Sequence, residues 1–179
     1  CVCIDFTTPA AFRENYRFIA ENFKAAVVGT TGWNDVENEV VECFRKCGTT
    51  MIYASNFSIG VNVLYAAVAL LSKKLGAAGG YMPYIIEMHH IHKLDAPSGT
   101  AKSIAEIVNA GMGGDVSVQS VRCGEIPGIH TVGFEGLNDR ITISHEAFSR
   151  VGLAQGAVYA ATLTETLSGV HRFQDLITA

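Results

Sequence analysis

Three short apolar runs separated by two helix-length amphipathic stretches fill the first 58 residues, and this alternation restricts the fold more than any other feature. Residues 2–6 read as a buried strand. Thr8 then caps a helix that has Pro9 at its first position. Phe12, Tyr16, Ile19, Ala20 and Phe23 recur at helical spacing, so one face of that helix packs on a sheet. Residues 25–28 form a second strand closed by Gly29-Thr-Thr-Gly32. Asn34 or Asp35 opens a second helix, with Val36, Val40, Phe44 and Cys47 inward and Gly48 as its stop. Residues 50–53 form a third strand, and a long apolar helix follows from about Ile59 to Leu75. Such an order predicts a parallel sheet with right-handed crossovers. Ligands of parallel sheets gather at the carboxyl ends of the strands. Here those ends are Phe6-Thr-Thr8, Gly29-Thr-Thr31 and Ala54-Ser-Asn-Phe57, small polar loops with an aromatic in two of them.

The rest of the chain has a different grammar. Gly76 to Gly80 reads as a flexible break and a domain boundary. Residues 84–88 form a strand that delivers a histidine cluster at its carboxyl end, and Ser98 begins a helix with Ala101, Ile104, Ala105 and Val108 inward. Strand patterns follow at 116–122, 129–134 and 140–147, with Ile141, Ile143 and His145 in alternation. A last helix is expected from about Ser149 to Ser168, stopped by Gly169. One helix with several strands able to pair antiparallel predicts an α+β unit with a mixed sheet.

With 49% hydrophobic and 17% charged residues, the 179-residue chain has the composition of a globular protein able to bury a core. A net charge of −4 and the lack of a basic stripe argue against nucleic acid as a partner. The apolar helix from Ile59 contains Asn62 and Ser72 and is flanked by Lys73 and Lys74, so it is read as a buried helix and no membrane is expected. Five cysteines without paired spacings argue against a disulfide framework and for a reducing, cytoplasmic compartment. Cys43 and Cys47, one turn apart, read as small apolar residues of a helix face rather than half of a metal site.

Chemistry concentrates in one segment. His89, His90, His92 and Lys93 fall within five residues at a strand end. Successive strand residues point to opposite faces, so His89 and His90 diverge. Histidine exchanges a proton near neutrality and suits general acid work. A His-x-His zinc half-site is the rival. Lys93 counts against it, and no cysteine or carboxylate stands at ligand spacing, so no metal is expected. Pro97 stiffens the approach to Ser98-Gly-Thr100, where Ser98 can cap the helix and Gly99 lets a ligand come close to the backbone. The free N–H groups of a helix start attract a carboxylate or phosphate. Together these donors describe a site for a small polycarboxylate.

The run Glu87-Met-His-His-Ile-His-Lys-Leu-Asp-Ala-Pro-Ser-Gly-Thr-Ala101 closely resembles the signature of bacterial dihydrodipicolinate reductases, E-x-H-H-x-x-K-x-D-A-P-S-G-T-A. Further matches are Ile4-Asp-Phe-Thr7, Val28-Gly-Thr-Thr-Gly32, Ala54-Ser-Asn-Phe-Ser-Ile-Gly-Val-Asn62, Gly124-Glu-Ile-Pro-Gly-Ile-His-Thr131 and Ile143-Ser-His-Glu-Ala-Phe-Ser-Arg150, so the resemblance spans essentially the whole chain. It implies a Rossmann-type domain followed by a mixed α/β substrate domain, assembled as a homotetramer through the second domain's sheet. It also implies reduction of a cyclic dicarboxylate, 4-hydroxy-tetrahydrodipicolinate, by NADH or NADPH in lysine and diaminopimelate synthesis. By the same resemblance His89 donates the proton, His90 binds substrate, and Lys93 stabilises or protonates it. Ser98, Gly99 and Thr100 hold a substrate carboxylate. Phe6, Thr7, Gly29, Thr30, Thr31, Ala54, Ser55, Asn56 and Phe57 line the nicotinamide half of the cofactor site, and Arg150 is a further candidate for the cleft.

The sequence departs from the family in one respect. Members begin with a strand, a G-x-G-x-x-G turn and a helix that grip the cofactor pyrophosphate, and this sequence opens after them. The expectation is therefore the later half of a Rossmann sheet at 1–58, a substrate and oligomerisation domain at 59–168, and a tail at 169–179 returning to the first domain. The chain alone is expected to hold cofactor weakly and to expose an apolar face of its first helix. The NADH or NADPH preference is not readable from it. Two rival readings stand beside the reductase: a related dehydrogenase acting on another small acid, and a non-enzymatic substrate-binding or oligomerisation module.

Overall fold

The computed structural model describes residues 1–177 as two compact units. Among the described residues one is built from 1–59 together with 151–177, the other from 60–150.

In the first unit, β1 (Val2–Asp5), β2 (Ala25–Val28), β3 (Thr50–Tyr53) and β8 (Val170–Arg172) form a fully parallel sheet in that order. Asp5, Val28 and Tyr53 stand abreast, so the three strands end at one edge. The crossovers are α1 (Pro9–Asn22) and α2 (Glu37–Cys47). Thr8 caps α1 by accepting from the Ala11 N–H. A 3-10 turn over Asn34–Val36 precedes α2, and Gly48 ends it at φ 68°, where a side chain would be strained. Phe12, Tyr16, Val40, Phe44 and Met51 bury one layer of core. Cys47, expected inward, is exposed; Cys43 packs against the core instead. All five cysteines are free thiols. Of α1's apolar residues, Phe12, Tyr16, Ile19 and Ala20 are buried and Phe18 is exposed.

Two expectations are corrected here. The last helix, α5 (Val151–Leu163), is shorter than expected and packs in the first unit rather than with the block 59–168. Its buried Ala157 and Ala160 meet Val27, Ile52 and Phe57, and Gly156 lies against the Phe57 carbonyl so closely that no Cβ fits. An Ala-rich helix carries little periodic signal, so its sequence did not reveal its partner. The segment after it adds β8 and α6 (Phe173–Ile177), with Phe173 in the same core layer.

The second correction concerns Gly76. It is no break: α3 runs unbroken over Ile59–Ala78, and the two units divide at Ile59/Gly60. Gly76 is where α3 meets α4 (Gly99–Met112). A Cβ there would collide with the Gly111 carbonyl, and one on Gly111 would lie 2.5 Å from the Ser72 Cβ. Close helix approach, not flexibility, explains these glycines.

The second unit has a mixed sheet in the order β5 (Val118–Arg122), β4 (Met82–His89), β6 (Ile129–Glu135), β7 (Arg140–Glu146). β4 and β5 are parallel; β6 runs antiparallel to both β4 and β7. Alternation gives the sheet two distinct faces. Ile85, Val132 and Phe134 join Val61, Leu64, Tyr65 and Val68 of α3 and Ile104 and Val108 of α4 in the core. The opposite face carries Met82, Ile86 and Val121, all exposed. Among the described residues α3 alone is long and apolar enough, by length and composition, to cross a membrane; its inward stripe is this core.

Candidate active site

Sheet register builds the site. Glu87 and His89 are two residues apart on β4 and therefore share the core-facing side. The pairing sets His130 of β6 opposite Glu87 and Arg122 of β5 opposite His89. Beyond His130, His145 of β7 continues the row. Four strands thus bring one acid, one guanidinium and three imidazoles to one end of one face.

The contacts are tight. Glu87 has no exposed surface; Arg122 donates to it from Nη2 to Oε1 at 2.8 Å and from Nη1 to Oε2 at 3.1 Å. The His89 Nδ1 also meets Glu87 Oε2. Burial alone would raise the Glu87 pKa, but the hydrogen bonds from Arg122, Ser120 and His89 outweigh it and hold the carboxyl at about 2. For His89, burial lowers the pKa and outweighs the opposite pull of Glu87, while Lys93 and Arg122 add to the lowering. The His89 and His130 rings meet edge to face at 5.1 Å. His130, buried and beside His89, is lowered to about 4. Its Nε2 lies 3.1 Å from Ser98 Oγ, while its buried Nδ1 has no hydrogen-bond partner among the described residues.

Ser98 joins this row to the helix start. Its Oγ accepts from the Ala101 N–H and so caps α4. The hydroxyl is buried and already committed, so what the helix start offers a ligand is backbone. Gly99 faces open space where a side chain would stand, and Thr100 is half-buried. Lys93 Nζ pairs with Asp95 Oδ1 at 2.7 Å, and this contact, ahead of all others, lowers the Asp95 pKa; the Gly99 backbone adds to it. Arg122 Nη2 also donates to the Asp95 carbonyl at 2.7 Å, tying the loop to β5. His90 leaves the strand on the other side, its N–H bonded to the Ile126 carbonyl, and His92 points outward near Glu125.

Sequence reasoning assigned no role to Glu87, Arg122, His130 or His145. Glu87 and His130 lay inside matched motifs, and alternation from His89 points to Glu87; Arg122 had no signal before the register was known. The view that no carboxylate stands at ligand spacing is corrected as well. Glu87, His89 and His130 place potential ligand atoms within 4.8 Å of one another. Arg122 meets both Glu87 oxygens, however, and supplies the positive charge a cation would bring.

The remaining expected positions sit at the carboxyl edge of the first sheet. Asp5 accepts from Thr7 N–H and Oγ1 and from Thr30 Oγ1, which fastens the first two loops together. Thr30 is buried, and its carbonyl accepts from Trp33 Nε1 at 2.6 Å. The half-exposed Phe6 ring covers Gly29, whose lack of a Cβ permits the contact. Phe57 is buried between Phe6 and Phe173, with centroids at 5.8 and 5.0 Å, so its ring serves the core. Thr7, Thr31 and Ser55 are exposed; Ala54 and Asn56 are half-buried, and Asn56 Oδ1 accepts from the Ser58 N–H.

Comparison with known proteins gives the family and the fold. Residues 1–57 match the family model described as "Dihydrodipicolinate reductase, N-terminus", and residues 60–177 match "Dihydrodipicolinate reductase, C-terminus". A 4-hydroxy-tetrahydrodipicolinate reductase from Christiangramia forsetii is 36% identical over 188 residues, covering 98% of this chain and 79% of that protein. One from Methanoculleus marisnigri is 37% identical over 175 residues, covering 89% and 68%. The solved structure titled "Dipicolinate bound Dihydrodipicolinate reductase from Paenisporosarcina sp. TG-14" shares the fold, with a TM-score of 0.84 at 23% identity over 98% of this chain and 73% of that one. The chain belongs to the dihydrodipicolinate reductase family, whose members are NAD(P)H-dependent oxidoreductases.

Proposed function

We propose that this chain carries out the reaction named for its relatives, reduction of 4-hydroxy-tetrahydrodipicolinate with NADH or NADPH in the synthesis of lysine and diaminopimelate. The observation that carries this reading is the joining of His89, through His130 and Ser98, to the capped start of α4 within one unit. That grouping sets a proton-exchanging imidazole beside a site for carboxylate.

The substrate is a small cyclic dicarboxylate. The α4 N–H groups at Gly99 and Thr100 and the Lys93 ammonium supply the positive potential for one carboxylate. Lys93 exchanges Asp95 for the ligand, and His90 contributes at the rim. At neutral pH the lowered pKa leaves His89 uncharged in the free chain. A bound dianion favours its protonated form, so substrate binding draws from solvent the proton that His89 then donates. Fixed donors of this kind stabilise charge developing in the ring without reorganising.

The carboxyl edge of the first sheet suits one end of a nicotinamide cofactor: Phe6 offers a half-exposed ring, and Thr7, Thr31 and Ser55 offer exposed polar groups beside Gly29, Thr30, Ala54, Asn56 and Phe57. When bound, the cofactor supplies the hydride. A cytoplasmic homotetramer assembled through the open face of the second sheet, where Met82, Ile86 and Val121 lie, completes the reading.

His89→Gln tests it. Nicotinamide oxidation, followed with substrate freshly made by the preceding synthase, is expected to lose about 100-fold or more in kcat with KM changed by less than about threefold. Undiminished turnover in the variant would remove His89 from the acid role.

A further inference from the structure

The reading above leaves one buried charge without a task. Glu87 has no exposed surface, and its buried salt bridge does not by itself explain why a charge stands here, since apolar residues in place of both partners are often as stable. What it does touch is His89 Nδ1. We propose that Glu87, clamped by Arg122, is the positioning residue for His89, fixing the imidazole with its proton on Nδ1 and leaving Nε2 as the nitrogen that exchanges a proton with substrate. The proposal rests on His89 being the proton donor.

An ionised carboxylate is an acceptor only, so its contact with Nδ1 requires that Nδ1 carry the hydrogen. Arg122 makes the ionised form secure. Its two donors, at 2.8 and 3.1 Å, leave a buried carboxyl with nothing to gain from a proton. Without Arg122, Glu87 would take up a proton, could donate to Nδ1, and would invert the tautomer. The ring is held on other sides too. His130 packs edge to face at 5.1 Å. Gly128 lies so close that a Cβ there would stand 3.0 Å from His89 Nε2. The charged and titratable groups around His89 are therefore Glu87 on its own strand, Arg122 on β5, His130 and then His145 on β6 and β7, and Lys93 in the following loop.

The proton balance is simple. His89 takes a proton from solvent on Nε2 when the dianion binds, gives that proton to the substrate, and returns to the neutral Nδ1–H form. Glu87 stays ionised throughout and never carries the transferred proton.

The test is the tautomer, read by NMR of the chain with 15N-labelled histidine and assigned by difference against His89→Gln. Near neutral pH the His89 signal is expected to show a protonated Nδ1 and an unprotonated Nε2. Titration with dipicolinate, a planar dicarboxylate, is expected to convert it to the doubly protonated form. In Glu87→Gln the amide can accept from or donate to Nδ1 and no longer compels a hydrogen there, so the share of the Nδ1–H tautomer is expected to fall. In turnover assays kcat should fall about 100-fold with KM nearly unchanged, and the alkaline limb of the kcat profile should move to lower pH. A wild-type His89 protonated on Nε2 overturns the proposal, and so does a Glu87→Gln protein with the wild-type tautomer. Should that variant not fold, the wild-type spectrum still decides. Failure of the two ideas is distinguishable: an impaired His89→Gln beside an unimpaired Glu87→Gln removes only Glu87, whereas a fully active His89→Gln removes the acid role itself.

Discussion

His130 shows how a single side chain of this cluster makes stability depend on pH. It is buried and neutral, with a pKa lowered to about 4, against about 6.5 in an unfolded chain. Between those values the unfolded chain binds more protons than the folded one, so stability falls as the pH drops from about 6.5 to about 4 and levels below that. His89 and His145 are lowered too and act in the same direction. Glu87 behaves differently: with its pKa held at about 2, its contribution is present above the usual carboxylate value and is lost between about 4.5 and 2. Urea denaturation at pH 7 and pH 4.5 should therefore show a marked loss for the wild-type chain. His130→Gln should lose less over the same interval, by up to on the order of 3 kcal/mol. Equal losses in both would show that His130 is not buried neutral. At this scale the sequence singled out residues for their chemistry and was silent about how they connect. His89, Lys93 and Ser98 stood in one motif, but Arg122 reaches Glu87 only through the β4–β5 pairing, which no local pattern encodes.

Elements were legible where periodicity was strong. The parallel strands and the first two crossover helices of the first unit follow from apolar spacing and cap chemistry at Thr8 and Gly48. Glycine misled at Gly76, because its two uses look alike in a sequence: Gly76 and Gly111 serve close helix packing rather than a break, and Gly156, on which the sequence was silent, admits the Phe57 carbonyl. The two uses predict opposite outcomes on substitution. In an open helix position alanine improves on glycine by up to about 1 kcal/mol. Gly76→Ala should instead lose about 1–3 kcal/mol, since the obstructing Gly111 carbonyl is backbone and cannot rotate away. Gly152→Ala on α5 meets nothing within 4 Å and should not be destabilised. Urea midpoints of the two variants against wild type make the comparison; a Gly76→Ala protein as stable as wild type would mean that α3 and α4 are not in close contact.

For the whole molecule, the open face of the second sheet is the feature that a lone chain leaves exposed. Ile86 sits between Met82 and Val121 on that face and away from the histidine row. If assembly proceeds through it, Ile86→Glu should lower the molar mass measured by light scattering on a sizing column while leaving the His89 tautomer unchanged. An unchanged molar mass in the variant would rule this face out as the interface. The division into units carries a further consequence. The second unit is continuous in the chain, whereas the first draws β8, α5 and α6 from beyond it. During vectorial synthesis, then, the histidine-bearing unit emerges complete and can fold on the ribosome, while β3 keeps an unpaired edge until β8 arrives. The unit that carries the histidine row is thus completed first, and the parallel sheet of the other unit waits on β8 for its fourth strand.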